Sequence, residues 1–315
     1  MNVCIYHRTL GAALARAIEA AHPDVDVRTV ADVAHDPPER DRIDVLIANT
    51  FPPGLLGRCA RLRWLHLTGS GSDHVAAGQP RPGLIVTTSA DVPARAVAEF
   101  AWMGVLALAK DAVRLVDQQR ARVWRLPDAR LLAGSRLALV GMGRIGSEIA
   151  RRAGAFDVAV SAVTRSGRPS PLAERVVPAE RLHEALADAD HVVLALPATS
   201  ATAGVFDARA IGALRPSATL VNVGRAATVD VDALVAALRE RRLRGALLDV
   251  HAEEPLPPDS PLWEVPNLWL TPHGAYRFPH EEQEIARLFV MNLSAFRAGR
   301  ALRGRIACDV PSEVA

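Results

Sequence analysis

A glycine-rich turn between a strand pattern and a helix pattern constrains this chain more than any other feature. It follows an apolar run at residues 137–140 and opens a helix-like stretch at residues 145–155. In such a turn the first glycine permits a tight bend, the second lets the backbone approach a phosphate, and the third lets helix and strand pack closely. Free N–H groups at the helix start then face the phosphates. The context predicts binding of a dinucleotide pyrophosphate by Gly141, Met142, Gly143, Arg144, Ile145 and Gly146.

Short β-rich runs alternate with helix-like stretches on both sides of an apolar-rich helix predicted at residues 94–119. Such alternation is typical of a parallel sheet with helices on both faces. We therefore predict an α/β protein with two Rossmann-like, doubly wound parallel-sheet domains and an interdomain cleft, where small molecules commonly bind. The strands are predicted at residues 3–6, 45–48, 64–67, 85–87, 137–140, 158–163, 192–196, 219–223, 246–250 and 268–271, and the other helices at residues 11–21, 145–155, 179–187, 230–241 and 281–297.

The composition argues against several other classes of protein. Half of the residues are hydrophobic, 23% are charged and the net charge is +2, which gives ample core and little reason to expect a nucleic-acid partner. No segment resembles a signal peptide or is apolar for long enough to span a bilayer, so no membrane partner is expected. Cys4, Cys59 and Cys308 lie far apart and match no metal or redox spacing. We expect free thiols, no metal site and a cytoplasmic location.

The end of the second strand in the dinucleotide-binding half bears on the choice of coenzyme. An acidic residue there would accept hydrogen bonds from the ribose hydroxyls of NAD. The chain instead has Thr164, Arg165 and Ser166, followed by Arg168. Arginine suits a 2′-phosphate through charge-assisted hydrogen bonds. The pattern favours NADP(H) with NAD(H) as a possible coenzyme, and the alternative is that both arginines are ordinary loop residues.

Charged side chains lie at or beyond the ends of three later strands. These segments supply Arg225, then Asp249 and Glu254, and finally His273. Ligands of open α/β sheets bind at the carboxyl ends of the strands, so all three segments are expected to face one crevice. The crevice would then hold a cation, a carboxylate and an imidazole.

With these motifs in place, the chain resembles the D-2-hydroxyacid dehydrogenase family over almost its whole length. The resemblance rests on residues 67–74 and 96–99, the glycine turn, and residues 259–263 leading to Thr271-Pro272-His273. It implies a discontinuous substrate-binding domain at residues 1–99 and 277–315, around a dinucleotide-binding domain at residues 100–276. It also implies hydride transfer between NAD(P) and a small 2-hydroxy or 2-keto acid, with reduction of a glyoxylate- or hydroxypyruvate-type acid expected. The family further implies a homodimer, for which Trp124 is a candidate contact.

The same resemblance implies roles for the charged residues. His273 would be the general acid/base, a task for which histidine suits the working pH. Glu254, chosen over Glu253 because it directly precedes Pro255, would pair with His273 and stabilise the imidazolium. Arg225 would hold the substrate carboxylate with its planar guanidinium.

Further contacts are assigned around this centre. Backbone amides of Ser70, Gly71 and Ser72 would hold the other side of the substrate carboxylate, and Asp249 would bond the nicotinamide amide. The remaining cofactor-binding positions are Leu196, Pro197, Val223 and Gly274. The other histidines, including His251, are interpreted as structural or exposed.

Some positions depart from the family pattern, and two alternatives stay open. Ala226 stands where glycine usually follows the arginine, and residues 274–278 are bulkier and more basic than expected. One alternative is a nucleotide-sensing, corepressor-like interaction protein, which would bind coenzyme without turnover. The other is a dehydrogenase of phosphite or formate, although Glu254 fits the hydroxy-acid branch better than the formate branch.

Overall fold

The computed structural model describes residues 1–72 and 74–306. The chain divides into two compact units, one formed by Met1–Pro93 with the chain from Phe278 onward, and one formed by Ala94–Arg277. The strands are β1 (Asn2–Tyr6), β2 (Asp26–Val30), β3 (Val45–Ala48), β4 (Trp64–Leu67), β5 (Ile85–Thr88), β6 (Arg136–Val140), β7 (Ala159–Thr164), β8 (Arg175–Pro178), β9 (His191–Leu194), β10 (Thr219–Asn222), β11 (Gly245–Leu248), β12 (Leu268–Leu270) and β13 (Arg305–Ile306). The α-helices are α1 (Gly11–Ala21), α2 (Leu55–Arg58), α3 (Ala94–Ala109), α4 (Ala112–Arg120), α5 (Arg144–Ala153), α6 (Leu182–Leu186), α7 (Ala208–Gly212), α8 (Val231–Arg239) and α9 (Glu281–Arg297).

The second unit is built on a seven-stranded parallel sheet with the order β12-β11-β10-β9-β6-β7-β8. Strand β6 lies between β7 and β9, so the strand order reverses at this point. In open α/β sheets, ligands bind outside the carboxyl ends of the strands at such a reversal. The glycine turn directly follows β6, so the topology puts the turn where a ligand is expected.

Both faces of this sheet are covered. Leu137 and Leu139 of β6 join the core beneath α3 and α5, whereas Ala138 and Val140 join the core beneath α6, α7 and α8. Successive side chains of a strand point to opposite faces, so a strand covered on both sides must be apolar throughout. This explains why β6 is buried at every position after Arg136.

The first unit has a six-stranded sheet with the order β13-β5-β4-β3-β1-β2, which is parallel except for the antiparallel edge pair β13–β5. Helices α1 and α9 pack on one face and α2 on the other. Trp64 and Phe289 stack with ring centroids 4.9 Å apart, which anchors α9 to β4. The predicted fold class of two parallel-sheet α/β domains is confirmed.

The prediction of one long helix at residues 94–119 is wrong. The chain breaks between α3 and α4, where Asp111 has a φ of 59°. This left-handed conformation cannot continue a right-handed helix. The sequence patterns also missed the edge strand β2, whose residues are all exposed or half-buried and form no apolar run.

Cys4 and Cys59 are buried free thiols in the first unit, and Cys308 lies outside the described residues. Burial raises the pKa of the Cys4 thiol to about 12 and that of Cys59 to about 11. Within the described ranges, no helix combines the length and apolarity that crossing a bilayer requires.

Candidate active site

Two glycines of the turn are required by the packing of the fold. Gly141 has a φ of 97°, which side-chain-bearing residues rarely adopt, and a Cβ there would lie 2.8 Å from the Ala195 carbonyl oxygen. A Cβ on Gly146 would collide with the carbonyl oxygen of Gly141. Helix α5 therefore lies against the turn only because Gly146 has no side chain.

Gly143 is glycine for a different reason. A Cβ at this position would meet no described protein atom within 4 Å, so packing does not require glycine here. Gly143 is the N-cap residue of α5, no side chain caps the helix, and its first turn contains no acidic residue. The first N–H groups of a helix lack intrahelical acceptors and carry partial positive charge. The open, uncapped helix start fits the pyrophosphate of a dinucleotide.

The other residues of the turn are partly exposed. Met142 and Ile145 are half-buried against the core beneath α3 and α5, and Arg144 is exposed. The turn thus anchors its apolar side chains in the core and leaves its backbone accessible.

The loop after β7 carries the groups predicted to select the coenzyme. Thr164 Oγ1 accepts a hydrogen bond from the Gly167 N–H at 3.0 Å, and Ser166 Oγ accepts one from the Arg168 N–H at 3.4 Å. Arg165, Ser166 and Arg168 are exposed, and residues 165–168 include no carboxylate. The loop therefore presents two guanidinium groups beyond the strand next to the glycine turn.

Two buried side chains that the sequence analysis missed hold the Arg225 backbone. Asn222 Nδ2 donates to the Arg225 carbonyl oxygen at 3.2 Å, and Thr228 Oγ1 donates to the same oxygen at 2.7 Å. The half-buried Arg225 guanidinium donates to the Gly224 carbonyl oxygen at 2.8 Å. An asparagine that ends an apolar strand was the available signal for Asn222. Both contacts fix the loop from which Arg225 extends.

The loops after β9 and β10 lie against each other. A Cβ on Gly224 would come within 2.6 Å of the Leu196 carbonyl oxygen, so glycine is required for this close approach. Among the predicted cofactor-binding residues here, Val223 is buried, Leu196 is half-buried and Pro197 is exposed. These positions belong to the same carboxyl edge of the sheet as the glycine turn.

The structure brings Glu254 and His273 together. Their Oε2 and Nδ1 atoms are 2.7 Å apart, and Glu254 Oε1 accepts a hydrogen bond from the His251 N–H at 2.9 Å. Burial raises the pKa of the Glu254 carboxyl, but the hydrogen bonds from His273 and from the His251 N–H outweigh it, so the pKa is lowered overall. Glu254 is therefore ionised at neutral pH, and its carboxylate accepts the hydrogen bond that His273 donates from Nδ1.

His273 lies in a tight turn that the Asp249 carboxylate holds. Asp249 is buried, and its Oδ1 accepts hydrogen bonds from Thr271 Oγ1 at 2.8 Å and from the Gly274 N–H at 3.0 Å. Its Oδ2 accepts from the Ala275 N–H at 3.0 Å. His273 itself has a φ of 51°. These bonds show Asp249 as the anchor of the turn, a role that the sequence analysis did not assign, and its contact with the nicotinamide stays a prediction.

The remaining predicted residues lie in the first unit. Ser70, Gly71 and Ser72 follow β4 and are half-buried. Among the residues that the structure describes, no group of three or more His, Cys, Asp or Glu side chains could hold a metal ion.

Comparisons with known proteins show the family of this chain. A family model described as "D-isomer specific 2-hydroxyacid dehydrogenase, NAD binding domain" matches residues 102–275. A glyoxylate reductase of Aeropyrum pernix is 34% identical over 272 residues, which cover 83% of this chain and 81% of that protein. A glyoxylate reductase of Thermococcus gammatolerans is 32% identical over 270 residues, with 82% and 80% covered.

Solved structures show the same likeness. A D-isomer specific 2-hydroxyacid dehydrogenase from Xanthobacter autotrophicus, in complex with NADPH, superposes with a TM-score of 0.87 at 28% identity, covering 97% of this chain and 98% of that one. An NADPH-dependent glyoxylate/hydroxypyruvate reductase from Sinorhizobium meliloti, in complex with NADP and sulfate, gives a TM-score of 0.86 at 26% identity, with 97% and 98% covered.

A dinucleotide-type turn at the reversal of a parallel sheet, with an imidazole–carboxylate pair on the same edge, defines an NAD(P)-dependent oxidoreductase. The chain belongs to the D-isomer specific 2-hydroxyacid dehydrogenase family. The predicted family and the predicted activity, hydride transfer between NAD(P) and a 2-hydroxy or 2-keto acid, are confirmed.

Proposed function

We propose that the chain reduces small 2-keto acids of the glyoxylate or hydroxypyruvate type with NADPH as the preferred coenzyme. The observation that carries this proposal is the 2.7 Å hydrogen bond between His273 Nδ1 and Glu254 Oε2. A histidine held by an ionised carboxylate is equipped to protonate a carbonyl oxygen. The glyoxylate reductases among the relatives support the substrate class.

The proposed mechanism assigns one task to each residue. A bound reduced nicotinamide supplies the hydride that reaches the keto carbon. Arg225 is proposed to bind the substrate carboxylate through its planar guanidinium group. Because Glu254 occupies Nδ1 of His273, Nε2 is the ring atom that donates a proton to the carbonyl oxygen. The Glu254 carboxylate stabilises the imidazolium until that transfer.

The coenzyme is proposed to bind along the carboxyl edge of the second sheet. The six residues of the glycine turn hold the pyrophosphate, and the Asp249 carboxylate is proposed to reach the nicotinamide amide. The positions proposed to line the rest of the coenzyme site are Thr164, Arg165, Ser166, Leu196, Pro197, Val223 and Gly274.

The NADPH preference is proposed from Arg165 and Arg168, which are exposed in residues 165–168, a stretch that has no carboxylate. A 2′-phosphate bound by guanidinium groups gains charge-assisted hydrogen bonds that NADH lacks. The double variant Arg165→Ala/Arg168→Ala is expected to raise the KM for NADPH by about tenfold or more and to leave the KM for NADH unchanged. Arg239→Ala, at the exposed end of α8, is the matched control. Equal effects on both coenzymes would argue against this assignment.

The function is tested by initial rates with glyoxylate, hydroxypyruvate, pyruvate and phenylpyruvate, each with NADPH and NADH. Glyoxylate and hydroxypyruvate with NADPH are expected to give the highest kcat/KM. His273→Ala should retain NADPH binding while kcat falls by about 100-fold or more. Coenzyme binding without turnover across the panel would contradict the proposal and favour a sensing protein.

We also propose a homodimer formed through an exposed apolar segment of the second unit. Trp124 is fully exposed, and Leu126 and Leu131 are 87% and 75% exposed. Apolar groups exposed together mark an interaction surface, and a second copy presents the same self-complementary surface. Trp124→Glu is expected to give a monomer by light scattering, whereas Trp263→Glu, at another exposed tryptophan, should stay dimeric. A monomeric wild type would refute the dimer.

Free buried thiols fit a reducing compartment, and we propose a cytoplasmic location.

A further inference from the structure

His251 contacts Glu254 and the turn that carries His273. It lies beyond β11, three residues before Glu254, and its backbone N–H donates to Glu254 Oε1 at 2.9 Å. Its ring Nε2 lies 2.8 Å from the carbonyl oxygen of Thr271, at the start of the turn that carries His273. One residue therefore contacts the carboxylate directly and the turn of the imidazole through its side chain.

The direction of the ring contact follows from chemistry. A carbonyl oxygen only accepts hydrogen bonds, so Nε2 of His251 must carry the proton. The ring Nδ1 is buried and has no hydrogen-bond partner within the described ranges. The only hydrogen bond through which the His251 ring acts on the described site is therefore the one that Nε2 donates.

The hydrogen bond from His251 Nε2 ends on the Thr271 carbonyl oxygen, which is part of the turn. The same oxygen accepts the backbone N–H of His273 at 3.0 Å. His273 has a φ of 51°, a conformation that a residue with a side chain adopts only when its surroundings enforce it. The ring of His251 thus fixes the carbonyl oxygen that holds the strained residue His273, and the Asp249 carboxylate separately binds the N–H groups of the two residues that follow.

We propose that His251 is a positioning residue that holds the His273 turn at the distance needed for the 2.7 Å bond to Glu254, an inference that rests on the proposed function. Its ring does not contact the reacting atoms. It acts by fixing the Thr271 carbonyl, so that the imidazole of His273 and the carboxylate of Glu254 stay in register. A small displacement of a catalytic group lowers the rate of the chemical step more than it lowers binding.

The test compares His251→Phe, which keeps a flat ring but has no donor, with His251→Gln, whose side-chain amide supplies an N–H at a similar distance from the backbone. Both variants keep the backbone N–H that binds Glu254, so only the contact with Thr271 changes. His251→Phe is expected to lower kcat by about tenfold, with the KM for the keto acid and the Kd for NADPH within about twofold of wild type. His251→Gln is expected to restore most of kcat.

A second readout needs no turnover. Amide hydrogen exchange in the coenzyme-free protein reports on the N–H groups of His273, Gly274 and Ala275. His251→Phe should speed their exchange by about tenfold, and His251→Gln should not. If His251→Phe does not fold, His251→Ala takes its place in both measurements.

The outcomes separate this inference from the proposed function. A wild type without keto acid turnover would refute the proposed function, and the exchange rates would still decide whether His251 holds the turn. An active wild type with His251→Phe unchanged in kcat and exchange would overturn the positioning role alone. A His251→Gln variant as impaired as His251→Phe would also overturn it, because ring volume and not the hydrogen bond would then matter.

Discussion

Replacing Gly143 with alanine separates the ligand role of the glycine turn from its structural role. A Cβ at Gly143 meets no described protein atom within 4 Å, and the backbone φ of −81° lies in a range that alanine adopts. At Gly146 the same Cβ collides with the Gly141 carbonyl oxygen. Both substitutions add one methyl group, but at Gly143 the group enters open space and at Gly146 it collides with the backbone.

The magnitudes follow from these surroundings. Gly143→Ala should change the free energy of unfolding by less than about 1 kcal/mol, as substitutions at open positions do. Gly146→Ala overpacks a helix–turn contact and should cost about 1–3 kcal/mol or more. Although Gly143→Ala should hardly affect stability, it should weaken coenzyme binding, because the new methyl group would occupy the space proposed for the pyrophosphate. Losing one charge-assisted backbone bond to a phosphate, at about 1.5–3 kcal/mol, weakens binding by roughly 10- to 100-fold.

Two measurements decide this prediction. Urea denaturation of the coenzyme-free protein gives the free energy of unfolding, and a fluorescence titration gives the Kd for NADPH. The reasoning is refuted if Gly143→Ala binds NADPH within about twofold of wild type, because no phosphate would then approach this backbone. It is also refuted if Gly143→Ala destabilises the protein as much as Gly146→Ala does.

Three further predictions concern ionisable groups. Glu254→Gln keeps the size of the side chain but removes the charge beside His273, so kcat for keto acid reduction should fall by about tenfold or more while the Kd for NADPH is unchanged; an unchanged kcat would show that the charge is not needed. Burial lowers the pKa of His66 from 6.5 to about 3, so only the unfolded chain takes up this proton between those pH values. As the pH is lowered from 6.5 towards 3, the free energy of unfolding of wild type should therefore fall by up to about 1.4 kcal/mol per pH unit more than that of His66→Gln. Urea midpoints that fall equally with pH in the two proteins would contradict this. Because burial raises the pKa values of Cys4 and Cys59, both thiols should resist a thiol reagent at pH 8 until urea unfolds the first unit, and rapid labelling of either in the native protein would show that it is accessible.

Much of the fold was predictable because its determinants are local. The bounds of β3, β4, α1 and α9 coincide with those expected from the sequence. Strands buried on both faces must be continuous apolar runs, and such runs are visible without a structure. Where burial is partial, as in β2, or where one residue changes its conformation, as at Asp111, the local pattern carries no such signal.

The sequence by itself determined the glycine turn, the strands that are apolar throughout, and the presence of Arg225, Glu254 and His273 beyond strands whose carboxyl ends share one edge. Only the tertiary structure decided how the polar groups there are bonded. Glu254 reaches His273 from 19 positions away, and Asp249 binds an N–H 26 positions further along the chain. Hydrogen bonds between groups so distant in sequence depend on how neighbouring strands end and turn, which no local pattern records.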